Sequence, residues 1–372
     1  MEFDVTDEQA ALVDSLRTLL ARRADGTGVR RAMASPQGYD PELWQILCEE
    51  IGAAALAIPE DFGGVGFTAF ETHLVLEELG YSLAPSPYLG SVAIAAQAIL
   101  AAGDEDAAGR LLPGVADGSR LAALAWADAR GRWAPEQVDV VATPGEPWRL
   151  SGTTPLVLEG TRAEVLVAIA RTPDGPGLFE LLDSAEVARV ATPAVDPTLR
   201  IATLRFEEAA ARPLGDGRLG DERLDDILDR ALTAITAVQV GAAARGLDMT
   251  VEYAKQRMQF GRLIGSFQAL KHRMADMHVA LEAARTASRA AAWAVANGAE
   301  ERSRLAALAK ARCSDALSAI AGETIQLHGG IAITWEHDAH LVFKRAHATA
   351  QLFGTADEQR RRVERSLGLV RG

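Results

Sequence analysis

Tyr253-Ala-Lys-Gln-Arg-Met-Gln-Phe-Gly-Arg-Leu-Ile-Gly-Ser-Phe-Gln268 is the stretch on which the fold of this chain turns. It closes a long apolar-periodic helix, crosses a tight turn containing Gly261 and opens a second helix at Ser266. Arg257 falls at the helix end, where a guanidinium offers a bidentate fork to a pyrophosphate or simply favours the helix dipole. Phe260 can pack beside a planar ring system, and Gly261 permits the close turn. A second stretch, Gln326-Leu-His-Gly-Gly-Ile331, stops a later helix and leaves backbone N–H groups free. Taken alone it is mostly a C-cap. One antiparallel helix pair separates the two stretches, and few folds need both.

Outward from these stretches, residues 216–372 read as a helical bundle domain. Long helices are expected from about Glu222 to Met258, Ser266 to Asn297 and Glu301 to His328. A fourth runs from Asp338 to Gln351, with a last segment to Leu367. Their length leaves an apolar face for a second subunit. Ala211 to Gly220 reads as a linker. Residues 118–215 lose helical periodicity and show short β-like runs at Leu121–Trp126, Val138–Ala142, Trp148–Ser151, Val165–Ala170 and Ile201–Phe206. The spacing predicts a small antiparallel sandwich or barrel. Residues 1–117 are helical again, with capping boxes at Thr6 and Thr68 and an N-cap at Asp40-Pro41. The fold class is therefore α+β, multi-domain and mainly α. No glycine-rich βαβ fingerprint or P-loop is present in the sequence, so a Rossmann-held nucleotide is excluded.

The 372 residues are 48% hydrophobic and 24% charged, with a formal net charge of −13. That balance describes a globular chain and argues against nucleic acid, whose phosphates require a basic surface. Cys48 and Cys313 lie too far apart for a metal or redox pattern and read as buried thiols. The apolar run Val92–Ala102 is too short to span a bilayer, and the acidic start Met1-Glu-Phe-Asp-Val5 lacks an export signal. A cytoplasmic location is expected. His328, His337, His340 and His347 read as core or interface histidines, since their spacing fits no zinc or di-iron pattern.

Tyr253, Arg257, Phe260, Gly261, Ile264, Phe267, Gln268 and Ala275-Asp-Met277 resemble a signature of the acyl-CoA dehydrogenase family. So do Gln326, Gly329-Gly330 and Pro59-Glu-Asp-Phe-Gly-Gly-Val-Gly66. The likeness runs over essentially the whole chain in the same α–β–α order. It implies an N-terminal helical domain, a middle β domain and a C-terminal four-helix bundle. It also implies FAD at a subunit interface, an acyl-CoA substrate oxidised at its α,β bond, and an electron-transfer flavoprotein or similar acceptor. By position, Arg257, Phe260 and Gln268 would touch the FAD pyrophosphate and adenosine. Gln326, Gly329 and Gly330 would touch the FAD of the neighbouring subunit.

The chain departs from the family where chemistry is done. The family's carboxylate base precedes a Gly-Thr, and here Phe353 fills that place in Gln351-Leu-Phe-Gly-Thr355. The alternative base position, on the first long C-terminal helix, is Ala231. Neither side chain can accept a proton. Asp229 and Asp357 are the weak alternatives, the latter one helical turn beyond Phe353 if a helix continues there. The segments that face the flavin ring in the family correspond to Ala125–Gly131 and Leu156–Leu158, and keep little of its pattern. The family's further glycine after the Gly-Gly pair is Ala332. This combination resembles the small, base-lacking subunit of heterotetrameric actinobacterial acyl-CoA dehydrogenases, whose homologous partner carries the glutamate. A self-contained dehydrogenase with a displaced base, and a flavin monooxygenase or nitroalkane oxidase of the same fold, are the other readings.

Overall fold

The structure is a computed structural model that describes residues 5–133 and 137–369. Met1–Asp4 lie outside the described residues, and so, for those four positions, does the expectation about an export signal.

The N-terminal region contains α1 (Asp7–Arg23), α2 (Gly26–Ala34), α3 (Pro41–Gln45) and α4 (Ala69–Ser82). After these, a wide π-type segment at Leu89–Ala96 runs into α5 (Gln97–Ala101), and α6 (Glu105–Leu111) and α7 (Pro113–Ala116) follow. Both expected capping boxes form: Thr6 with Gln9, and Thr68 with Glu71. They satisfy amide groups that a helix start leaves without partners. Asp40 caps α3 through Glu42 and Leu43. Helix α2 is absent from the sequence reading. Two glycines in its first turn hide it, and Asp25 holds it by accepting from the Gly28 amide at 2.7 Å.

The middle region is a seven-stranded sheet: β1 (Ala122–Ala125), β2 (Val141–Thr143), β3 (Trp148–Leu158), β4 (Val165–Thr172), β5 (Gly175–Leu181), β6 (Ala188–Ala191) and β7 (Ile201–Pro213). Strands β2, β3, β7, β5 and β4 pair in a closed ring, with β1 added to β4 and β6 to β7. The barrel is present, but it is mixed and not purely antiparallel, because β1 and β2 both run parallel to β4. Strand β7 also absorbs Ala211, Arg212 and Pro213, which the sequence reading places in a linker.

Helices α8 (Asp221–Gln256), α9 (Gln268–Ala296) and α10 (Arg302–His328) follow, then α11 (Ala339–Gln351) and α12 (Ala356–Ser366). Helix α8 is long and apolar enough to cross a bilayer, but 89% of its apolar window is buried inside the protein, as in a core helix. It crosses α4 with the backbones in contact. A Cβ on Gly80 would fall 2.5 Å from the Val238 carbonyl oxygen, and one on Gly241 would fall 2.0 Å from that of Glu77. A buried ion pair between Arg345 of α11 and Asp196 fastens the barrel to the bundle. Cys48 and Cys313 are buried free thiols, and burial pushes both up to about 12.

Candidate functional site

Helix α8 ends at Gln256, and Arg257 leaves it in an extended conformation (φ −74°, ψ 123°). The next residues fold back as a hairpin of β8 (Met258–Gln259) and β9 (Arg262–Leu263). Its two-residue turn is Phe260 (φ 54°) and Gly261 (φ 77°). Positive φ at both turn positions matches the right-handed twist of the flanking strands, and glycine supplies it without strain. Phenylalanine does not, yet Phe260 holds it while 90% exposed. Its ring meets Phe267 edge-on at 6.2 Å and otherwise faces solvent. Arg262 lies 4.0 Å over the Phe267 ring and stiffens the base of the hairpin. Among the described residues no side chain pairs with the exposed Arg257 guanidinium.

The second stretch arrives at the same end of the bundle. Helix α10 stops at His328, Gly329 takes φ 66°, and Gly329–Ile333 form a short 3₁₀ turn. Beyond their own chain neighbours, no atom of the described residues lies within 4 Å of where a Cβ on Gly329 or Gly330 would sit. Gln326, Gly329, Gly330 and Gln268 are all exposed. The Tyr253 and His328 rings stack at 4.5 Å between centroids and so bring the two stretches together. The end of this bundle thus offers an unpaired guanidinium, open glycine backbone and exposed amide side chains, a donor set suited to an anionic nucleotide.

The positions that resemble the family's reacting centre are arranged in the opposite way. Phe353 is 1% exposed and lies 4.5 Å from Trp133, which itself meets Trp126 edge-on at 5.8 Å. Thr154 donates to the Ala127 carbonyl at 2.8 Å. A Cβ on Gly131 would sit 3.0 Å from Leu156. The segments expected to face a flavin ring are therefore packed against one another. Ala231 is wholly buried. Beside it on α8, a cavity of about 20 Å³ lined by Ala93, Gln97, Arg230, Thr233 and Ala234 is far too small for an acyl chain. A cavity of about 540 Å³ lies elsewhere, where α1, α4 and α8 meet around Glu78, Tyr81 and Arg245.

The two weak carboxylates are not brought to one site. Asp229 is buried, 2.9 Å from Arg362 as an ion pair without hydrogen-bond alignment, and it accepts from Ser303 at 2.5 Å. Burial raises its proton affinity, while Arg362 and Ser303 oppose the shift. Asp357 stands exposed on α12, 2.6 Å from Arg360. The expected shared helical face with Phe353 does not exist. Helix α11 ends at Gln351, Phe353 takes φ 60°, and α12 starts only after the Thr355 cap. Sequence reasoning missed Trp133 as the partner of Phe353 and Tyr253 as the partner of His328, since no local pattern encodes contacts between distant segments.

Residues 6–119 match the N-terminal domain of acyl-CoA dehydrogenases, and residues 224–368 match the C-terminal domain. The acyl-CoA dehydrogenase IpdE2 of Mycobacterium tuberculosis is 42% identical over 358 residues, 96% of either chain. This chain belongs to the acyl-CoA dehydrogenase family. Its other relatives include IpdE2 of Mycolicibacterium smegmatis, 39% identical over 97% of this chain and 99% of that one. Among solved structures it is similar to a chain of the ChsE4–ChsE5 complex of M. tuberculosis, with a TM-score of 0.91, 30% identity and complete coverage of both. It is also similar to a chain of a variant of the Tcur3481–Tcur3483 steroid acyl-CoA dehydrogenase, with a TM-score of 0.88 and 31% identity over 98% and 99% of the two chains. The family consists of FAD-dependent oxidoreductases, and the mainly helical fold with a middle sheet domain is theirs.

Proposed function

We propose that this chain is the base-lacking subunit of a heteromeric acyl-CoA dehydrogenase. A homologous subunit supplies the glutamate base. This chain lends its exposed bundle end to the nucleotide half of that partner's FAD. Bound FAD supplies the hydride acceptor for oxidation of an acyl-CoA at its α,β bond. Arg257 neutralises pyrophosphate charge, Gly329 and Gly330 let their backbone approach it, and Phe260 packs on a ring. Gln268 and Gln326 offer amide hydrogen bonds. The complex works in the cytoplasm on a CoA thioester from lipid or steroid breakdown and passes its electrons to an electron-transfer flavoprotein or similar carrier. The similarity to a steroid acyl-CoA dehydrogenase and to a two-component complex supports this setting.

The observation that carries the reading is the contact of Phe353 with Trp133 at 4.5 Å. A ring already occupies the place of the base, so Phe353 contributes packing and excludes water but moves no proton. The test is a visible absorption spectrum of the purified chain, followed by anaerobic titration with a panel of acyl-CoA esters. The chain alone is expected to hold no flavin that an ester can bleach. Co-expression with the glutamate-bearing homologue is expected to give a flavin that one ester does bleach. Bleaching in the chain alone overturns the reading in favour of a self-contained enzyme.

A further inference from the structure

The two halves of the exposed bundle end come from different helices, and something must fix their spacing. Tyr253 stands one turn before Arg257, and His328 directly precedes Gly329. Their rings stack at 4.5 Å and 26°, and His328 also meets the ring of His337 at 4.6 Å, tilted by 57°. His337 lies in a loop held to the N-terminal region. Arg30 donates to the Trp335 carbonyl at 2.9 and 2.7 Å and pairs with Asp338 at 2.6 Å. Arg245 reaches the other Asp338 oxygen at 3.3 Å. The rings thus form a continuous column from the Arg257 hairpin, through the Gly329-Gly330 turn, to the α2 helix.

The column's polar edges are not arranged for a ligand. His328 turns Nδ1 to the Thr324 carbonyl at 2.8 Å, while its buried Nε2 has no hydrogen-bond partner among the described residues. Burial lowers the proton affinity of both His328 and His337, so the rings stack uncharged at neutral pH.

We infer that His328 is a positioning residue, a ring spacer that holds the Arg257 hairpin and the Gly329-Gly330 turn at the separation one nucleotide requires. This rests on the functional reading above and names how that surface is kept in register. No chemistry on the imidazole is needed, so another flat ring should serve.

The test compares His328→Phe and His328→Ala in the complex co-expressed with the glutamate-bearing homologue. It reads FAD affinity by absorbance after dialysis, assembly by size-exclusion chromatography, and ring packing by near-UV circular dichroism. His328→Ala is expected to assemble but to bind FAD at least about tenfold more weakly, a usual scale for lost positioning. His328→Phe is expected to restore binding to within about threefold of wild type, since ring stacking survives the exchange. Wild-type binding by His328→Ala overturns the inference, as does a His328→Phe variant no better than His328→Ala. A wild-type complex that holds no FAD overturns the functional reading instead. The spacer is then judged by a crystal structure of His328→Ala, in which an unmoved hairpin overturns it.

Discussion

Ala231 lies on α8 and Arg257 just past its end, 26 residues on and about 39 Å away at ~1.5 Å per residue. Around Arg257 the side chains that resemble cofactor ligands stand in solvent, and one of them, Phe260, is held there against its own backbone preference. Around Ala231 and Phe353 both base positions are buried, and Trp126 and Trp133 pack in a row against Phe353. Exposed ligands cost stability unless something covers them, and a sealed pocket returns stability while abolishing chemistry. That contrast is what the proposed dependence on a partner subunit predicts.

The sharpest way to break this contrast is Phe353→Glu, which restores the family's carboxylate. The structure expects a buried, unpaired acid against Trp133, with a loss of about 3–5 kcal/mol in a denaturant titration and no acyl-CoA oxidation. A folded variant whose flavin is bleached by an ester would show the pocket to be open.

The interior side can be sharpened at Lys310. It is fully buried and donates to Ser314 at 2.9 Å and to the Ala350 carbonyl at 3.3 Å, just ahead of the Phe353 turn. Burial lowers its pKa from 10.5 to about 8. Between those values the unfolded chain holds a proton that the folded chain does not, so stability rises with pH across that window. Below about pH 8 the whole cost is present. Lys310→Met should therefore gain stability relative to wild type at pH 7, by an amount on the order of 3 kcal/mol, and the gain should vanish by about pH 10.5. Paired unfolding curves at pH 7, 9 and 10.5 check the slope, and a constant difference refutes it.

On the exposed side, Arg257→Ala should weaken FAD retention by the complex about 10–100-fold, as for a lost charge-assisted contact. The melting of the isolated chain should hardly move. Equal damage to both would make Arg257 a structural residue. The smallest effect is expected at Asp357→Asn, which removes only an exposed pair with Arg360. Stability should stay within about 0.5 kcal/mol and turnover by the complex should be unchanged. A collapse of turnover would revive Asp357 as a base.

Much of this contrast was legible before any coordinates, and its limits are physical. Capping boxes and long periodic helices are local, so Thr6, Thr68 and the spans of α8 to α12 read directly. The loss of a base at Phe353 is a matter of residue identity. Helix α2 was lost because Gly26 and Gly28 lower local propensity, while burial of Val29 and Ala32 restores it. Strands β5 and β6 were missed as short segments outlined by glycine, proline or exposed positions. The parallel pairing of β1 and β2 with β4, and the contact of Trp133 with Phe353, depend on distant segments meeting in space. Local pattern carries no record of such meetings.

The close crossing of Gly80 and Gly241 also bears on how the chain is made. Residues from α1 through β7 share one apolar cluster with α8, including Leu232, Ile235 and Val238. Helix α4 therefore cannot hide its apolar face until α8 has left the ribosome. At about 5–20 residues per second, the roughly 160 residues from Gly80 to Gly241 take about 8–32 s to make, and that face stays open meanwhile. A message that stalls before codon 221 would be expected to yield aggregates in place of a folded N-terminal fragment, because the partner of that face is never made.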